Sequence, residues 1–174
     1  MSEPRYVFKI MVLGEPAVGK TSLIRRFVEN RFIDDYLSTI GVDFLKKEVK
    51  YDDVEATLVL WDVAGQAKYA NFKRHYYQGA NFFIIVCDVT RKLSYLSISR
   101  WLKDAQTILG GAINFTIFAN KVDLVDKREV EDYEDYQHEE GLVEIVETSA
   151  KTGHNVNDSF IKLAKFLVDN QSDL

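Results

Sequence analysis

A glycine-rich octapeptide near the start of the chain contains the residue types that bind phosphate. Residues 14–21 read GEPAVGKT, which matches the pattern G-x-x-x-x-G-K-[ST]. Glycines let the backbone turn its N–H groups toward a phosphate chain, and a following helix adds the partial positive charge of its N-terminus. Lys20 would then reach the β- and γ-phosphates, and the Thr21 hydroxyl would bind Mg²⁺. The motif predicts a nucleoside triphosphate site but leaves the base and the reaction open.

Two later segments carry groups that suit a nucleotide base. Residues 120–123 read NKVD and follow an apolar run, as do residues 148–151, TSAK. The Asp123 carboxylate could accept hydrogen bonds from the ring N–H and the exocyclic amino group of guanine. Adenine lacks that pair of donors and would leave the carboxylate unpaired in a dry pocket. Without the phosphate motif, NKVD is equally typical of a solvated turn after a strand.

The segment from Trp61 to Gln66, WDVAGQ, ends another apolar run. Opposite a phosphate loop, Asp62 would hold Mg²⁺ through a water, because Mg²⁺ prefers oxygen ligands and retains several waters. Gly65 has no side chain, so its N–H could approach a γ-phosphate, and Gln66 could orient a water for in-line attack. Without the phosphate motif, the same residues would be interpreted as a strand end and a turn.

The elements that must position these residues alternate between strands and helices. Apolar runs predict strands over residues 6–13, 56–61, 82–87, 114–119 and 142–147, and helical spacing predicts helices over 21–30, 93–109 and 156–168. Residues 42–51 and 54–61 flank Asp52-Asp53 and predict an antiparallel hairpin. The acidic residues 129–140 predict a solvated helix that packs through Tyr133 and Tyr136. The order predicts a three-layer α/β fold, with a six-stranded, mostly parallel sheet between helices and ligands at the carboxyl ends of its strands.

Composition excludes several other classes of protein. A length of 174 residues suits one domain, which we expect to span residues 1–174, and 47% apolar with 28% charged residues argues against disorder. The formal net charge of −5 disfavours nucleic acid as a partner. A single cysteine excludes an internal disulfide framework and fits a reducing, cytoplasmic compartment.

The order and spacing of these segments closely resemble the small GTPases of the Ras superfamily over essentially the whole chain. The resemblance implies a GTP/GDP switch that hydrolyses GTP, with Gln66, Lys20 and Gly65 as catalytic residues. It implies that Thr21, Thr39 and Asp62 hold Mg²⁺. The implied nucleotide-binding residues are Gly14, Glu15, Ala17, Val18, Gly19, Lys20, Thr21, Ser22, Phe32, Tyr36, Thr39, Gly65, Asn120, Lys121, Asp123, Ser149, Ala150 and Lys151.

The resemblance also implies how the base is held. Asn120 would tie the base loop to the phosphate loop, and the stem of Lys121 would pack over the base. The Ala150 N–H would donate to the guanine carbonyl oxygen, while Ser149 and Lys151 would support that loop.

Residues 31–41 and 65–78 resemble the two switch segments of the family, which order with GTP and loosen after hydrolysis. Phe32 would pack against guanine, although its chemistry suits a core residue beside the helix nearly as well. Tyr36 would cover the phosphates, and the Thr39 N–H would sense the γ-phosphate.

Within the superfamily, the chain resembles the Rab branch of membrane-traffic GTPases. Phe44, Trp61 and Tyr76 match an aromatic triad that Rab proteins present to effectors, although the same rings could equally pack on the sheet. The implied partners are an exchange factor, a GTPase-activating protein and effectors, and the implied state is a monomer.

The chain departs from the family at several positions. Pro16 fixes one backbone φ and removes an N–H from the phosphate loop, and Ala67 replaces the usual Glu after the catalytic Gln. These changes keep open an alternative, a GTP-binding interaction module with little or no hydrolysis. A P-loop kinase that uses ATP is disfavoured by Asp123. The last residues contain no cysteine for lipidation, so we expect no membrane anchor in this chain and a peripheral membrane location only with a lipidated tail.

Overall fold

A mixed sheet of six strands forms the middle layer of the computed structural model, which describes residues 5–34, 38–51, 54–64 and 72–171. The strands are β1 (Arg5–Leu13), β2 (Val42–Tyr51), β3 (Val54–Val63), β4 (Phe82–Asp88), β5 (Phe115–Asn120) and β6 (Leu142–Thr148). Their order is β2-β3-β1-β4-β5-β6, and β2 alone among them runs antiparallel to its neighbour, β3. This confirms the predicted sheet and hairpin. The predictions made for Tyr36, Gly65, Gln66, Ala67 and the Asp52-Asp53 turn lie outside the described residues.

The helices cover both faces of this sheet. They are α1 (Lys20–Glu29), α2 (Lys73–Tyr77), α3 (Lys92–Leu96), α4 (Ile98–Leu109) and α5 (Val156–Asp169). None of the helices in the described part of the chain has the length and apolar character that crossing a bilayer requires.

Alternation along the central strand explains the three layers. Ile10 and Val12 of β1 lie in one buried cluster with α1 and α5, whereas Met11 and Leu13 lie in the other with α3 and α4. Because successive side chains of a strand point to opposite faces, a strand with no polar face must be covered on both sides. All seven residues of β4 are buried, as this arrangement requires.

The strand register brings the polar ends of the strands to one edge. Val12 of β1 lies opposite Asp62 of β3, and Asp88 of β4 lies opposite Asn120 of β5. Asn120 in turn lies opposite Thr148 of β6. This edge, at the carboxyl ends of the parallel strands, is where ligands bind in such sheets.

The helix predicted over residues 93–109 is wrong in one respect, because the chain forms two helices that are separated at Ser97. Ser97 Oγ donates to the Ser94 carbonyl at 2.8 Å, and Ser94 Oγ donates to the Arg91 carbonyl at 2.8 Å. Serine hydroxyls that bond to nearby carbonyls compete with the regular helix and often bend it.

The helix predicted over residues 129–140 is also wrong, because only a 3₁₀ turn forms, at Glu134–Tyr136. The N–H groups of Glu129 and Val130 both donate to the Val89 carbonyl, which holds this segment against the end of β4. The expected packing of the tyrosines is confirmed, since Tyr136 is buried and Tyr133 packs against the same core.

Candidate functional site

The phosphate-binding motif forms a tight loop between β1 and α1. Gly14 has φ +144° and Gly19 has φ +102°, which L side chains rarely adopt. A Cβ at Gly14 would overlap the Val86 carbonyl, and one at Gly19 would overlap the Asn120 amide. The loop therefore needs glycine at both positions. Ala17 also has a positive φ, +65°, so the loop tolerates one strained non-glycine residue.

Lys20, the first residue of α1, is held inside the loop. Its Nζ donates to the carbonyls of Gly14 and Glu15, both at 2.9 Å. Burial lowers the pKa of Lys20 to about 8, and the negative charges of Asp62 and Glu15 oppose this effect. The ammonium thus remains largely protonated at neutral pH, where a phosphate chain would stabilise it further.

Oxygen atoms of Thr21, Thr39 and Asp62 form one cluster beside the loop. The hydroxyls of Thr21 and Thr39 lie 2.8 Å apart, and both donate to Asp62 Oδ2, Thr39 at 3.3 Å. Asp62 Oδ1 is buried and has no hydrogen-bond partner among the described residues. Burial raises the pKa of Asp62 despite the hydrogen bonds from Thr21 and Thr39. A buried carboxylate, one oxygen of which no described residue hydrogen-bonds, beside two hydroxyls fits a hard divalent cation such as Mg²⁺.

The base loop is tied to the phosphate loop by two side chains. Asn120 Nδ2 donates to the Val18 carbonyl at 2.9 Å, and Lys121 Nζ donates to the Ala17 carbonyl at 2.7 Å. The first bond is the tie that the resemblance implied for Asn120.

The second base loop, residues 148–151, meets the first through side-chain hydrogen bonds. Ser149 Oγ donates to Asp123 Oδ1 at 2.5 Å, which fixes that carboxylate. The Ala150 N–H, expected to serve the guanine carbonyl, donates to Asn120 Oδ1 at 3.2 Å. This length is at the upper end of the normal range, and a base carbonyl could replace the bond.

A cavity of about 410 Å³ joins these parts. Its lining includes Lys20, Thr21 and Thr39 from the phosphate and metal side and Asn120, Asp123 and Ala150 from the base side. Phe32 lines the cavity and also packs against the core, so the core alternative is confirmed and its contact with guanine stays a prediction. The volume is within the usual range for small-molecule sites.

The three aromatic residues of the predicted effector surface differ in their environments. Phe44 of β2 is 53% exposed, and its ring stacks on Trp61 of β3 with centroids 5.5 Å apart. Trp61 and Tyr76 are partly buried and pack against the core cluster of Met11 and Leu13.

Sequence reasoning missed Arg26 and Asp88, which support the base side of the site. Arg26 of α1 donates to the carbonyls of Ala150 and Lys151 at 2.8 and 2.7 Å, and so fixes the second base loop from behind. Asp88, at the end of β4, receives Lys121 Nζ at 2.7 Å. An acidic residue that ends a fully apolar strand was a usable signal for Asp88, whereas nothing local identifies Arg26.

The fold and the phosphate-binding loop of residues 14–21 define a nucleoside triphosphate-binding protein with a P-loop. Comparison with known proteins narrows this class. The Ras family model matches residues 9–169. The chain is 42% identical over 171 residues to the Ras-related protein Rab-1 of Theileria annulata, which covers 97% of this chain and 78% of the relative. It is 42% identical over 164 residues to the Ras-related protein Rab-5A of Dictyostelium discoideum, which covers 93% and 81%.

The chain therefore belongs to the Ras family. It is a Rab-like small GTPase, a hydrolase that acts as a GTP/GDP switch in the regulation of membrane traffic. These similarities favour the enzyme over a binding module without hydrolysis, and they do not support the ATP-dependent kinase.

Proposed function

We propose that GTP and GDP bind in the cavity of about 410 Å³ with the phosphates in the loop of residues 14–21 and guanine beside Asp123. The observation that carries this proposal is the convergence of Lys20, Thr21 and Asp123 on one cavity from the ends of two parallel strands. The contacts expected along the loop are those of Gly14, Glu15, Ala17, Val18, Gly19 and Ser22, and on the base side those of Phe32, Lys121, Ser149 and Lys151. Tyr36 and Gly65 would complete them from outside the described residues.

Thr21, Thr39 and Asp62 would hold Mg²⁺ in this proposal. Their oxygen-only donor set supports the assignment, as does Asp62 Oδ1, which has no hydrogen-bond partner in the described part of the chain. When bound, Mg²⁺ would neutralise part of the charge on the β- and γ-phosphates.

Hydrolysis then requires a water positioned for attack and stabilisation of the negative charge that develops on the γ-phosphate. Gln66 would orient the water for in-line attack, and Lys20 together with the Gly65 N–H would stabilise the charge that develops on the γ-phosphoryl oxygens. Arg25 and Arg31 line the cavity, but we expect no arginine of this chain to act on the γ-phosphate. We therefore expect intrinsic turnover on the order of 10⁻⁴ s⁻¹ and acceleration by a GTPase-activating protein that provides an arginine.

Phe44, Trp61 and Tyr76 would form the surface that effectors recognise. The half-exposed Phe44 ring, stacked on Trp61 next to Asp62, links this surface to the metal site. Exchange factors and effectors would bind a monomer in the cytoplasm, and a lipidated tail in the full-length protein would place it at a membrane surface.

The identity of the base is tested by Asp123→Asn. The amide presents a donor where the carboxylate accepts, so affinity for GDP should fall by at least tenfold, and affinity for xanthosine diphosphate should rise. Asp126→Asn, at an exposed carboxylate in the next turn, is the matched control. Unchanged GDP affinity in Asp123→Asn, measured by calorimetry, would remove guanine from this end of the cavity.

The role of Gln66 is tested by single-turnover hydrolysis. Gln66→Leu should slow release of phosphate from bound GTP without changing GTP affinity, because only the attacking water loses its partner. Gln106→Leu is the matched control, since Gln106 lies in the last turns of α4, which leads to the opposite edge of the sheet. Equal hydrolysis rates in the wild type and Gln66→Leu would exclude this mechanism.

A further inference from the structure

The face of the phosphate loop that points away from the cavity is contacted by side chains that the phosphate motif does not include. Arg91, just before α3, donates from Nη2 to the Pro16 carbonyl at 2.8 Å. The same guanidinium is anchored by Asp88, whose Oδ2 lies 3.3 Å from Arg91 Nε. Asp88 is almost fully buried, so the anchor is fixed.

A second set of contacts holds Glu15, the residue before Pro16 in the phosphate loop. Glu15 Oε1 accepts a hydrogen bond from Trp101 Nε1 at 3.1 Å and another from Arg100 Nη2. The Arg100 guanidinium also lies over the Trp101 ring, 5.6 Å from its centroid. The Glu15 side chain is therefore drawn toward α4, whereas its backbone carbonyl receives Lys20.

Three successive backbone carbonyls of the loop each accept a hydrogen bond from a side chain. Pro16 accepts from Arg91, Ala17 from Lys121 and Val18 from Asn120. In a planar trans peptide the C=O and the following N–H point in opposite directions. A donor that holds the Pro16 carbonyl on one side thus directs the Ala17 N–H to the other side, and Ala17 lines the cavity.

The Pro16 peptide is the place where such a donor matters most. Proline contributes no N–H of its own, so the loop has one phosphate donor fewer and depends more on the next one. Ala17 must also be held at φ +65°, a conformation that costs energy outside glycine. The Arg91 bond opposes relaxation of both residues.

We propose that Arg91, anchored on Asp88 and assisted by Arg100 on Glu15, is a positioning residue that keeps the Ala17 N–H directed at the bound phosphates and slows nucleotide release. The inference rests on the proposed nucleotide site. It adds to that site residues that contact the phosphate loop on the side away from the cavity and do not contact the nucleotide.

Release of a fluorescent GDP analogue tests the proposal. Protein loaded with N-methylanthraniloyl-GDP is mixed with excess GDP, and the decay of fluorescence gives the dissociation rate. Loss of a charge-assisted hydrogen bond should make release from Arg91→Met about tenfold faster. Arg91→Lys retains a charged donor and should show about a two- to threefold effect. Arg5→Met removes an exposed arginine from an ion pair at the far end of β1 and should release at the wild-type rate.

Two further measurements separate positioning from general destabilisation and from metal binding. Arg100→Met should release about threefold faster, through the Glu15 contact. The ratio of the GDP release rates of Arg91→Met and wild type should persist when Mg²⁺ is chelated, because the bond from Arg91 to the Pro16 carbonyl acts on the loop and not on the metal. If Arg91 acted only through the size of its side chain, Arg91→Lys would not restore slow release of the analogue.

The outcomes are distinct. If wild type binds the analogue but Arg91→Met releases it within twofold of the wild-type rate, the positioning role is wrong and the nucleotide site stands. A ratio that vanishes on chelation also overturns it. If wild type does not bind the analogue, the proposed function fails and this inference fails with it. Should Arg91→Met not fold, unchanged release in both Arg91→Lys and Arg100→Met would overturn the proposal.

Discussion

Individual backbone conformations determine where this site tolerates substitution. Gly19 combines a left-handed φ with contact to Asn120, whose amide is already committed to the Val18 carbonyl. A methyl group there cannot be accommodated by moving a flexible chain end, because the amide that would have to move holds two loops together. The glycine is thus required by packing as well as by φ.

We predict that Gly19→Ala abolishes measurable nucleotide binding. The left-handed φ alone should cost about 1–2 kcal/mol, and the displaced Asn120 amide should distort the phosphate loop. Gly110→Ala is the matched control, because Gly110 has φ +77° but open space around the added methyl. Gly110→Ala should lose only the stability that the left-handed φ costs, Gly19→Ala should lose more because of the overlap with Asn120, and only Gly19→Ala should lose affinity for GDP. Wild-type affinity in Gly19→Ala would contradict the packing argument.

The lowered pKa of Asp88 leads to a prediction about the stability of the protein in acid. Burial by itself would raise the pKa of Asp88, but the hydrogen bonds from Lys121 and Thr90 outweigh it and leave the pKa below its ordinary value. The stability that the carboxylate provides is therefore present above the pKa of the unfolded chain, about 3.9, and is lost as the pH falls from there through the lower folded pKa.

Asp88→Asn should be less stable than wild type at pH 6 and should lose less stability on acidification. The difference in unfolding free energy between the two proteins, measured in urea from pH 6 to pH 3, should shrink as the pH falls below about 4. Asp126→Asn, at an exposed carboxylate, should track wild type throughout. A difference that stays constant over this range would show that the Asp88 charge does not contribute.

At the scale of elements, the acidic segment shows how tertiary contacts override a local pattern. Residues 129–140 pack through Tyr136, whose hydroxyl donates to the Tyr95 carbonyl at 3.1 Å and whose ring meets that of Tyr95 edge to face. Arg128 adds an ion pair with Glu147 of β6. These contacts attach the segment to α3 and β6 without a regular helix.

Tyr136→Phe should lower the free energy of unfolding by about 1 kcal/mol, since one buried hydrogen bond is lost. Tyr136→Ala should lower it by about 3–5 kcal/mol, because it also leaves a cavity under the segment. Glu140→Ala, in an exposed position of the same segment, should change it by less than about 0.5 kcal/mol. Urea unfolding measures all three, and equal effects of the Phe and Ala variants would argue against packing as the main contribution.

The elements also show what a sequence can and cannot predict. Four of the strands follow from continuous apolar runs, β2 from the hairpin predicted around Asp52-Asp53, and the start of α1 from a motif with fixed spacing, so these elements were predicted within a few residues. The division at Ser97 and the missing helix over residues 129–140 depend on where the Ser94 hydroxyl and the Val89 carbonyl lie in three dimensions. Arg91 and Arg100 escaped prediction for the same reason, because their partners in the phosphate loop are 75 and 85 residues away.

At the scale of the whole molecule, the site is assembled only when the sheet is complete. The register that sets Val12 beside Asp62 and Asp88 beside Asn120 brings loops distant in sequence to one edge. A ligand that bridges these loops binds the folded chain and not the unfolded one, so it must stabilise the entire domain.

Thermal unfolding with and without nucleotide provides the corresponding prediction. Mg²⁺ and GDP at about a thousand times the dissociation constant should add about 4 kcal/mol to the stability, which for a domain of this size corresponds to roughly 10 °C in the unfolding temperature. ATP should give no comparable shift, because adenine offers no donor pair to Asp123, and chelation of Mg²⁺ should reduce the shift that GDP produces. Asp123→Asn serves as the internal control, since it should respond to xanthosine diphosphate in place of GDP. An equal shift with ATP and GDP would mean that the base end of the cavity does not discriminate, and the guanine assignment would then have to be abandoned while the phosphate assignment remained.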